Sequence, residues 1–322
     1  MPRADRSETI RRFAVEEGFD RAGIARLGPS TTAAALHRWL DDGRQAGMEY
    51  LERHVEIRED PRRLLPGAQS ILCVALRYPG GTSPSTAECG SAVWPRVARY
   101  ARGEDYHDFL RAMLKRLAAR IEREFAGSET RCCVDTAPIL EREWAARAGL
   151  GAVGKNTMLL HPQDGSWFLL GEILTTLELE PDVPLGDLCG DCGRCLDACP
   201  TGALVAPWEL DSRLCISYWT IEHRGEIPQP MAERLSGWLF GCDICQEACP
   251  WNGGDEAPAD PRFETPAERR GLDLPALAGA SDDELRRLFR GTPLLRPKPD
   301  GLRRNALLAL ASPPSGESEE SL

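Results

Sequence analysis

The chain has 322 residues, 42% of them hydrophobic, which predicts a globular protein of two or three lobes with a large core. A net charge of −11 does not favour a polyanionic partner, although arginine, the better phosphate ligand, far outnumbers lysine. We expect a cytosolic protein, since there is no signal-peptide core and no run approaching the roughly 20 apolar residues of a membrane helix. In that compartment, twelve cysteines favour metal ligation over disulfides.

Helix and strand patterns alternate from the start of the chain. Amphipathic helices are predicted over about residues 7–17 and 31–43, with a short strand or turn over residues 19–27 between them. Residues 70–76 form a continuous apolar run, which is typical of a buried strand. Cys73 lies inside that run, and we interpret it as a core residue.

A surface loop and a long helix follow. Residues 78–90 are rich in Pro, Gly, Ser and Thr, and Cys89 within them is read as an incidental exposed thiol. Residues 108–125 have a single apolar stripe with arginines on the other faces, so they predict a helix that covers a sheet.

Three more elements complete the first lobe. A strand ending in a turn is predicted over residues 131–138, a helix over about 139–149, and one long buried strand or two shorter ones over 167–177. We therefore expect an α/β or α+β lobe over residues 1–180, with α+β the preferred class.

Eight cysteines then follow the pattern of a two-cluster bacterial ferredoxin. The run C-x2-C-x2-C-x3-C-P is formed by Cys189, Cys192, Cys195, Cys199 and Pro200. A second run, with its first ligand missing, is formed by Cys242, Cys245, Cys249 and Pro250. The solitary Cys215 is best placed to supply that ligand. A ferredoxin-like module with two 4Fe-4S clusters is thus predicted over residues 181–255.

In the ferredoxin pattern, the fourth cysteine of a run ligates the other cluster. The first predicted ligand set is Cys189, Cys192, Cys195 and Cys249. The second is Cys215, Cys242, Cys245 and Cys199. A zinc site is the alternative, but zinc usually takes four ligands in two pairs and not three in a row followed by C-P.

The end of the chain is predicted to be a linker, short helices and a disordered tail, over residues 256–322. Residues 251–266 have the composition of a linker, and helices are predicted over 281–290 and 302–311. The final residues are acidic and rich in Ser and Pro, as in disordered segments.

A segment before the cysteines is ambiguous. Residues 151–157, Gly-Ala-Val-Gly-Lys-Asn-Thr, resemble a phosphate-binding loop but lack its spacing. They could cradle an anion with backbone amides, or they could cap a helix.

Several motifs together closely resemble those of the epoxyqueuosine reductase family. These are Val134-Asp-Thr-Ala-Pro-Ile-Leu-Glu-Arg142, Ala148-Gly-Leu-Gly-Ala-Val-Gly-Lys-Asn-Thr157, the double ferredoxin run, and Cys215-Ile-Ser-Tyr-Trp-Thr-Ile-Glu222. The resemblance extends from the first helix to Pro250 and continues into the segment 303–306. The family's catalytic core is similar to that of the corrinoid reductive dehalogenases.

The resemblance implies cobalamin and two 4Fe-4S clusters as cofactors, and epoxyqueuosine in a tRNA anticodon loop as substrate. Electrons entering through the clusters would produce cob(I)alamin, and removal of the epoxide oxygen would give queuosine, the final step of its biosynthesis. Asp135 matches the family's proton donor. We expect it to be protonated, because desolvation at the end of an apolar strand raises a carboxyl pKa. Capping of the next helix is the alternative role.

The resemblance also implies binding residues. The corrinoid contacts aligned with the family are Arg58, Asp135, Leu159, Leu160, His161, Leu170 and Ser217. His161 is expected to be a pocket residue and not a cobalt ligand. Arg224 is expected to contact tRNA, with further contacts from residues 96–102, Arg296, Lys298, Arg303 and Arg304. We expect His107 to make a structural hydrogen bond.

The expected partners are the tRNA and a flavodoxin- or ferredoxin-type electron donor, with the enzyme itself a monomer. Two other functions remain open: a dehalogenase-like enzyme acting on a small molecule, and a non-catalytic electron-transfer or zinc-binding module. The lack of a twin-arginine export signal argues against a respiratory dehalogenase.

Overall fold

The computed structural model describes residues 1–78, 96–253, 260–266, 269 and 273–311. Its helices are α1 (Arg3–Glu16), α2 (Ala33–Asp41), α3 (Val55–Glu59), α4 (Tyr106–Glu124), α5 (Glu141–Arg147), α6 (Arg194–Ala198), α7 (Gln229–Ala232), α8 (Ile244–Glu247), α9 (Leu274–Gly279), α10 (Asp282–Leu288) and α11 (Lys298–Ala311). Its strands are β1 (Arg21–Arg26), β2 (Ser70–Arg77), β3 (Arg96–Val97), β4 (Thr130–Cys133), β5 (Ala152–Val153), β6 (Leu159–Leu160), β7 (Phe168–Thr175), β8 (Leu204–Ala206), β9 (Glu209–Leu210) and β10 (Trp238–Phe240).

A four-stranded sheet forms the centre of the first lobe. Its strand order is β1-β2-β7-β4 and every pairing is antiparallel, which confirms the α+β class. The apolar run at residues 70–76 is strand β2, and the run at 167–177 contains one strand, β7. Both are buried along almost their whole length because helices cover both faces of the sheet.

Each face of the sheet has its own core. Helices α1 and α4 pack on one face, where the predicted α4 stripe is buried through Leu110, Leu114, Leu117 and Ile121. Helix α5 packs on the other face, with Trp144 fully buried, and Cys73 lies in this core as predicted. Side chains of β2 alternate between the two cores because successive residues of a strand point to opposite faces.

Several helices begin earlier than their apolar periodicity indicates. Helix α1 begins at Arg3, and α11 at Lys298, one turn before the predicted start. Helix α4 begins at Tyr106 because Asp105 caps it, accepting a hydrogen bond from the backbone amide of His107 at 3.1 Å. This cap positions a histidine in the first turn of α4.

The cysteine-rich segment docks on the lobe around Ser166. The backbone amide of Ser166 donates to Oδ1 of Asn252 at 2.6 Å, and Nε2 of Gln246 donates to the carbonyl oxygen of Ser166 at 3.0 Å. The neighbouring Gly165 has a φ of +68°, and a Cβ atom there would lie 2.0 Å from Oδ1 of Asn252. Only glycine therefore allows this close approach.

The last helices pack back onto the cysteine-rich segment. Helices α9, α10 and α11 share a core with β10, and Asn305 of α11 is fully buried. The end of the predicted linker differs from expectation, since Phe263 is buried against Tyr78 and Phe109. The predicted tail, Cys89, and the predicted loop after Tyr78 lie outside the described residues.

Candidate functional site

A cavity of about 360 Å³ lies between the first lobe and the cysteine-rich segment. Residues of the lobe form one wall, and among them are Asp135, Glu141, Tyr106, Leu159 and Leu170. The opposite wall contains four cysteines: Cys199, Cys215, Cys242 and Cys245. A carboxylic acid and a set of thiols thus face the same space.

A second cavity of about 270 Å³ is lined by the other four cysteines of the two runs. They are Cys189, Cys192, Cys195 and Cys249. The smaller cavity therefore has three cysteines of the first run and Cys249 from the second run. The larger cavity has Cys215, two cysteines of the second run, and Cys199 from the first run. Asn156 lines both cavities and separates them.

The ambiguous segment at residues 151–157 is neither a helix cap nor an open anion cradle. It is the tight connection between β5 and β6, closed by a hydrogen bond from the amide of Gly154 to the carbonyl oxygen of Met158 at 2.8 Å. The amide of Lys155 points to Sγ of Cys189 at 3.4 Å, so it contacts a predicted cluster ligand. The segment joins the lobe to the first cysteine run.

Asp135 lies two residues after the end of β4, in a backbone conformation with a φ of 40° that non-glycine residues rarely adopt. Two contacts hold it there. Its amide donates to Oε1 of Glu141 at 2.7 Å, and its Oδ2 atom lies 2.9 Å from Nε2 of His107. Strained residues of this kind are concentrated at functional sites because the surrounding structure must hold them in place.

The expectation that Asp135 is protonated by desolvation is wrong. Burial by itself would raise its pKa, but the hydrogen bond and positive charge of His107 outweigh burial and lower the pKa below the ordinary value. The strand pattern indicated an apolar environment and gave no sign of the histidine, which comes from the start of α4. At neutral pH the carboxyl group is therefore ionised.

His107 lies between two carboxylates. Its Nδ1 atom is 2.7 Å from Oδ1 of Asp105, on the side opposite Asp135, and the Tyr106 ring stacks on it with centroids 4.1 Å apart. Burial alone would lower the pKa of His107, but the two carboxylates outweigh it and raise the pKa to about 9. The imidazole is therefore a cation at neutral pH.

Two more carboxyl groups lie behind Asp135. Burial, and then the charge of Asp135, raise the pKa of Glu141 to about 7. Glu172, on the central strand β7, is fully buried between Cys73 and Cys133. Neither of its carboxyl oxygens has a hydrogen-bond partner among the residues that the structure describes. Burial, and then the charge of Glu141, raise the pKa of Glu172 well above its ordinary value.

The residues predicted to contact the corrinoid are not all at one place. Asp135, Leu159, Leu170 and Ser217 line the larger cavity, and Leu160 lines the smaller one. Arg58 and His161 line neither cavity. Arg58 is buried and donates to the carbonyl oxygen of Arg53 at 2.6 Å, while Nδ1 of His161 lies 3.1 Å from Oδ2 of Asp164.

The arginines expected to contact RNA make hydrogen bonds within the protein, although Arg224 and Arg296 are exposed. Arg224 donates to the carbonyl oxygen of Arg296 at 2.8 Å, while Arg304 donates to three carbonyl oxygens in the segment 219–225. Burial lowers the pKa of Arg304 to about 10. Arg303 pairs with Asp282 at 2.8 Å, and its side chain is 26% exposed.

No sequence pattern predicts a catalytic role for His107, Tyr106 or Glu141, although all three lie around Asp135. Glu141 and His107 occur within segments singled out in the sequence, but their spacing from Asp135 follows no local pattern. Among the described residues, no three His, Cys, Asp or Glu side chains converge to hold a single metal ion. No helix in the described ranges is long and apolar enough to cross a membrane.

Similarity to known proteins defines the class of protein to which this chain belongs. Residues 188–252 match a family model described as a 4Fe-4S double cluster binding domain, so the chain is an iron–sulfur protein, and its relatives are oxidoreductases. Residues 58–136, which end just after Asp135, match the model described as epoxyqueuosine reductase QueG, DUF1730.

Relatives over the full length identify the family. The chain is 42% identical over 314 residues to the epoxyqueuosine reductase of Synechococcus sp. RCC307, covering 94% of this chain and 93% of the relative. A crystal structure of epoxyqueuosine reductase with an epoxyqueuosine-modified tRNA-Tyr stem loop has a TM-score of 0.87 and 34% identity, covering 94% of this chain and 80% of the other. The same values hold for a Bacillus subtilis epoxyqueuosine reductase whose catalytic loop is swung out of the active site. This chain belongs to the epoxyqueuosine reductase family.

Proposed function

We propose that this protein reduces epoxyqueuosine in tRNA to queuosine, using cobalamin and two 4Fe-4S clusters. The observation that carries the proposal is the cavity in which Asp135 faces four cysteines of the ferredoxin pattern. A proton donor and an electron-delivering group are the two things that the reductive removal of an epoxide oxygen requires. Membership of the family makes this reaction a better explanation than a dehalogenase-like activity.

The cysteines fit two clusters. The first cluster takes Cys189, Cys192, Cys195 and Cys249, and the second takes Cys199, Cys215, Cys242 and Cys245. Support comes from the two cavities, since each is lined by one of these sets of four thiols. The amide of Lys155 near Sγ of Cys189 is the type of donor that stabilises a cluster sulfur.

The larger cavity also suits a corrinoid. Its walls include Tyr100, Tyr106, Leu159 and Leu170, and a large ring system with few charges needs an aromatic and aliphatic lining of this kind. When bound there, cobalamin would supply a strongly reducing cobalt centre. Leu159, Leu170 and Ser217, which line the cavity, would hold the cobalamin. Asp135 would lie next to the substrate.

The remaining proposed contacts act from outside the cavity. Arg58, Leu160 and His161 would support the corrinoid through backbone or edge contacts, with His161 a pocket residue and not a cobalt ligand. Arg224 would contact the tRNA near the cavity mouth, where it already positions the segment containing Arg296.

Regarding partners and organisation, we propose a monomeric cytoplasmic enzyme that receives electrons from a flavodoxin- or ferredoxin-type donor. Residues 1–180 would form the catalytic lobe, 181–255 the two-cluster domain, and 256–322 a C-terminal linker and helices. The tRNA substrate and the reduced metal clusters both fit the reducing environment of the cytoplasm.

The test is conversion of epoxyqueuosine to queuosine in tRNA by purified protein loaded with iron, sulfide and cobalamin, with a strong chemical reductant. Asp135→Asn should abolish conversion while leaving the cofactor content unchanged. Full activity of Asp135→Asn would overturn the proton-donor assignment. Halide release from halogenated phenols without tRNA conversion would favour the dehalogenase-like function.

A further inference from the structure

Asp105, His107 and Asp135 form a continuous line of hydrogen-bonding groups that ends in the larger cavity. The two outer carboxylates bind opposite nitrogens of the same imidazole, at 2.7 and 2.9 Å. Asp105, at one end of the line, and His107 have side chains that are 28% and 25% exposed. Asp135, at the other end, lines the cavity and is 49% exposed, so solvent reaches both ends of the line.

The reaction itself requires this kind of supply, if the proposed function is correct. Reduction of the epoxide breaks two C–O bonds, forms a C=C bond and releases water. Two electrons, delivered through the clusters, and two protons balance this change. A single carboxyl group can hold one proton at a time, so Asp135 must be reprotonated at least once in each turnover.

Asp135 does not keep a proton of its own at neutral pH. Its pKa is lowered by His107 despite the opposing effect of burial, so the carboxylate is ionised at neutral pH. The ring beside it has the proton, since the two carboxylates raise the pKa of His107 to about 9 against the opposing effect of burial. Other charged or titratable groups near this pair are Glu141, Tyr106 and, towards the C-terminus, Arg296.

We propose that His107 is the proton carrier that reprotonates Asp135 during the reaction. The protonated ring transfers its Nε2 proton to Oδ2 of Asp135, which leaves a neutral ring with its remaining proton on Nδ1. Nε2 is then reprotonated from solvent before the next transfer. Asp105 fixes the orientation of the ring and keeps Nδ1 protonated. His107 thus acts through Asp135 and does not itself contact the substrate.

A purely structural role would also explain the contact, because the His107 ion pair helps to hold Asp135 at its unusual φ of 40°. The two roles respond differently to substitution. Glutamine can donate a hydrogen bond to Asp135 but cannot carry a proton. If His107 acts only as a support, His107→Gln should be nearly neutral, whereas a proton carrier cannot be replaced in this way.

The experiment is single-turnover conversion of epoxyqueuosine in tRNA by pre-reduced, cofactor-loaded enzyme, measured from pH 6 to 10. Pre-reduction separates the proton steps from electron supply. We expect the wild-type rate to fall above about pH 9, where His107 loses its proton. We expect His107→Gln to be slower by on the order of 100-fold at pH 7, the usual size of an acid–base contribution. The rate of His107→Gln should also decline as the pH increases, starting from a value much lower than that of the wild type.

Two further variants make the result specific. Imidazole in solution should restore activity to His107→Gly, because a free imidazole can fill the vacated space and carry the proton. His37→Gln is the matched control, since His37 also pairs with a carboxylate, Glu59 at 2.5 Å, but lies on the surface. Its rate and pH profile should equal those of the wild type.

Each outcome has a separate meaning. Wild-type rate and pH profile in His107→Gln would overturn the proton-carrier role and leave the proposed function intact. A His107→Gln variant slowed by the same factor at every pH, with no rescue of His107→Gly by imidazole, would also overturn the proton-carrier role and would mean that glutamine fails to replace the supporting contact of His107. Wild-type enzyme that does not convert epoxyqueuosine at all would overturn the proposed function and, with it, this inference.

Discussion

The ammonium group of Lys155 donates a hydrogen bond to the carbonyl oxygen of Cys192 at 2.9 Å, and a second to that of Gly190 at 2.6 Å. These bonds join the β5–β6 connection of the first lobe to the first cysteine run. Since the backbone amide of Lys155 also contacts Cys189, one residue fixes the loop around the proposed first cluster and places a positive charge beside it.

Replacement of Lys155 should therefore change the redox properties of the first cluster. A nearby cation stabilises the reduced cluster, which has the more negative charge. Lys155→Met should shift one of the two cluster potentials to a more negative value in an EPR-monitored redox titration. Lys155→Arg, which keeps the charge, should show a smaller shift, and an unchanged potential in Lys155→Met would contradict the prediction.

Substitution of single cysteines should test the crossed ligand sets. Cys249→Ser should perturb the same EPR signal as Cys189→Ser, although Cys249 is close in sequence to the ligands of the other cluster. Cys215→Ser should perturb the other signal, as should Cys242→Ser. Cys73→Ser is the control, because this buried cysteine lies in the core of the lobe and should leave both signals intact. Matching spectra for Cys249→Ser and Cys242→Ser would indicate uncrossed sets.

The buried Glu172 should make the protein less stable as the pH rises. Its folded-state pKa is raised by burial and by Glu141, so the folded protein keeps a proton that the unfolded chain loses above about pH 4.3. Stability should thus decrease from that pH upwards, until Glu172 ionises in the folded state. Glu172→Gln removes this decrease, so its unfolding temperature should exceed that of the wild type at pH 8, with a smaller difference at pH 5.

Circular dichroism melting curves at both pH values measure this effect. A suitable control is Glu178→Gln, which changes a carboxylate in a partly exposed ion pair with Arg3. An equal difference between Glu172→Gln and wild type at pH 5 and pH 8 would mean that Glu172 does not keep its proton.

Asn305 should be required for the geometry of the cavity wall. Its fully buried amide donates to the carbonyl oxygens of Thr220 and Leu239, both at 2.8 Å. Thr220 lies in a single π-helical turn, Tyr218–Glu222, close after Cys215 and Ser217. Asn305→Ala leaves two buried acceptors without a donor, which should cost about 1–3 kcal/mol for each.

Chemical denaturation of the cofactor-loaded enzyme measures this loss, and tRNA conversion shows whether the cavity is affected. Leu307→Ala on the same helix is the matched control, since Leu307 is 56% exposed. It should change the free energy of unfolding by no more than about 0.5 kcal/mol. Similar stabilities of the two variants would show that the Asn305 hydrogen bonds contribute little.

The features that the sequence predicted well are those with a local pattern. Strand β2 follows from a continuous apolar run, because both faces of the strand are buried, and the stripe of α4 follows from a period of 3.6 residues, because one face of the helix is buried. The cysteine runs follow from spacing, because a cluster requires thiols at set intervals along a short loop. Asp135 could likewise be predicted as a site residue, because it lies in the motif at residues 134–142.

Tertiary structure alone decided the state of that aspartate. Its partner His107 is 28 residues away, and the pair meets only because the cap at Asp105 starts α4 beside the end of β4. Asn305 likewise meets Thr220 across 85 residues. Periodicity and spacing determine which residues are buried and which cysteines are grouped, since both depend on neighbours along the chain. The protonation of Asp135 depends on which charge lies against it, and only the folding of distant segments brings that charge into place.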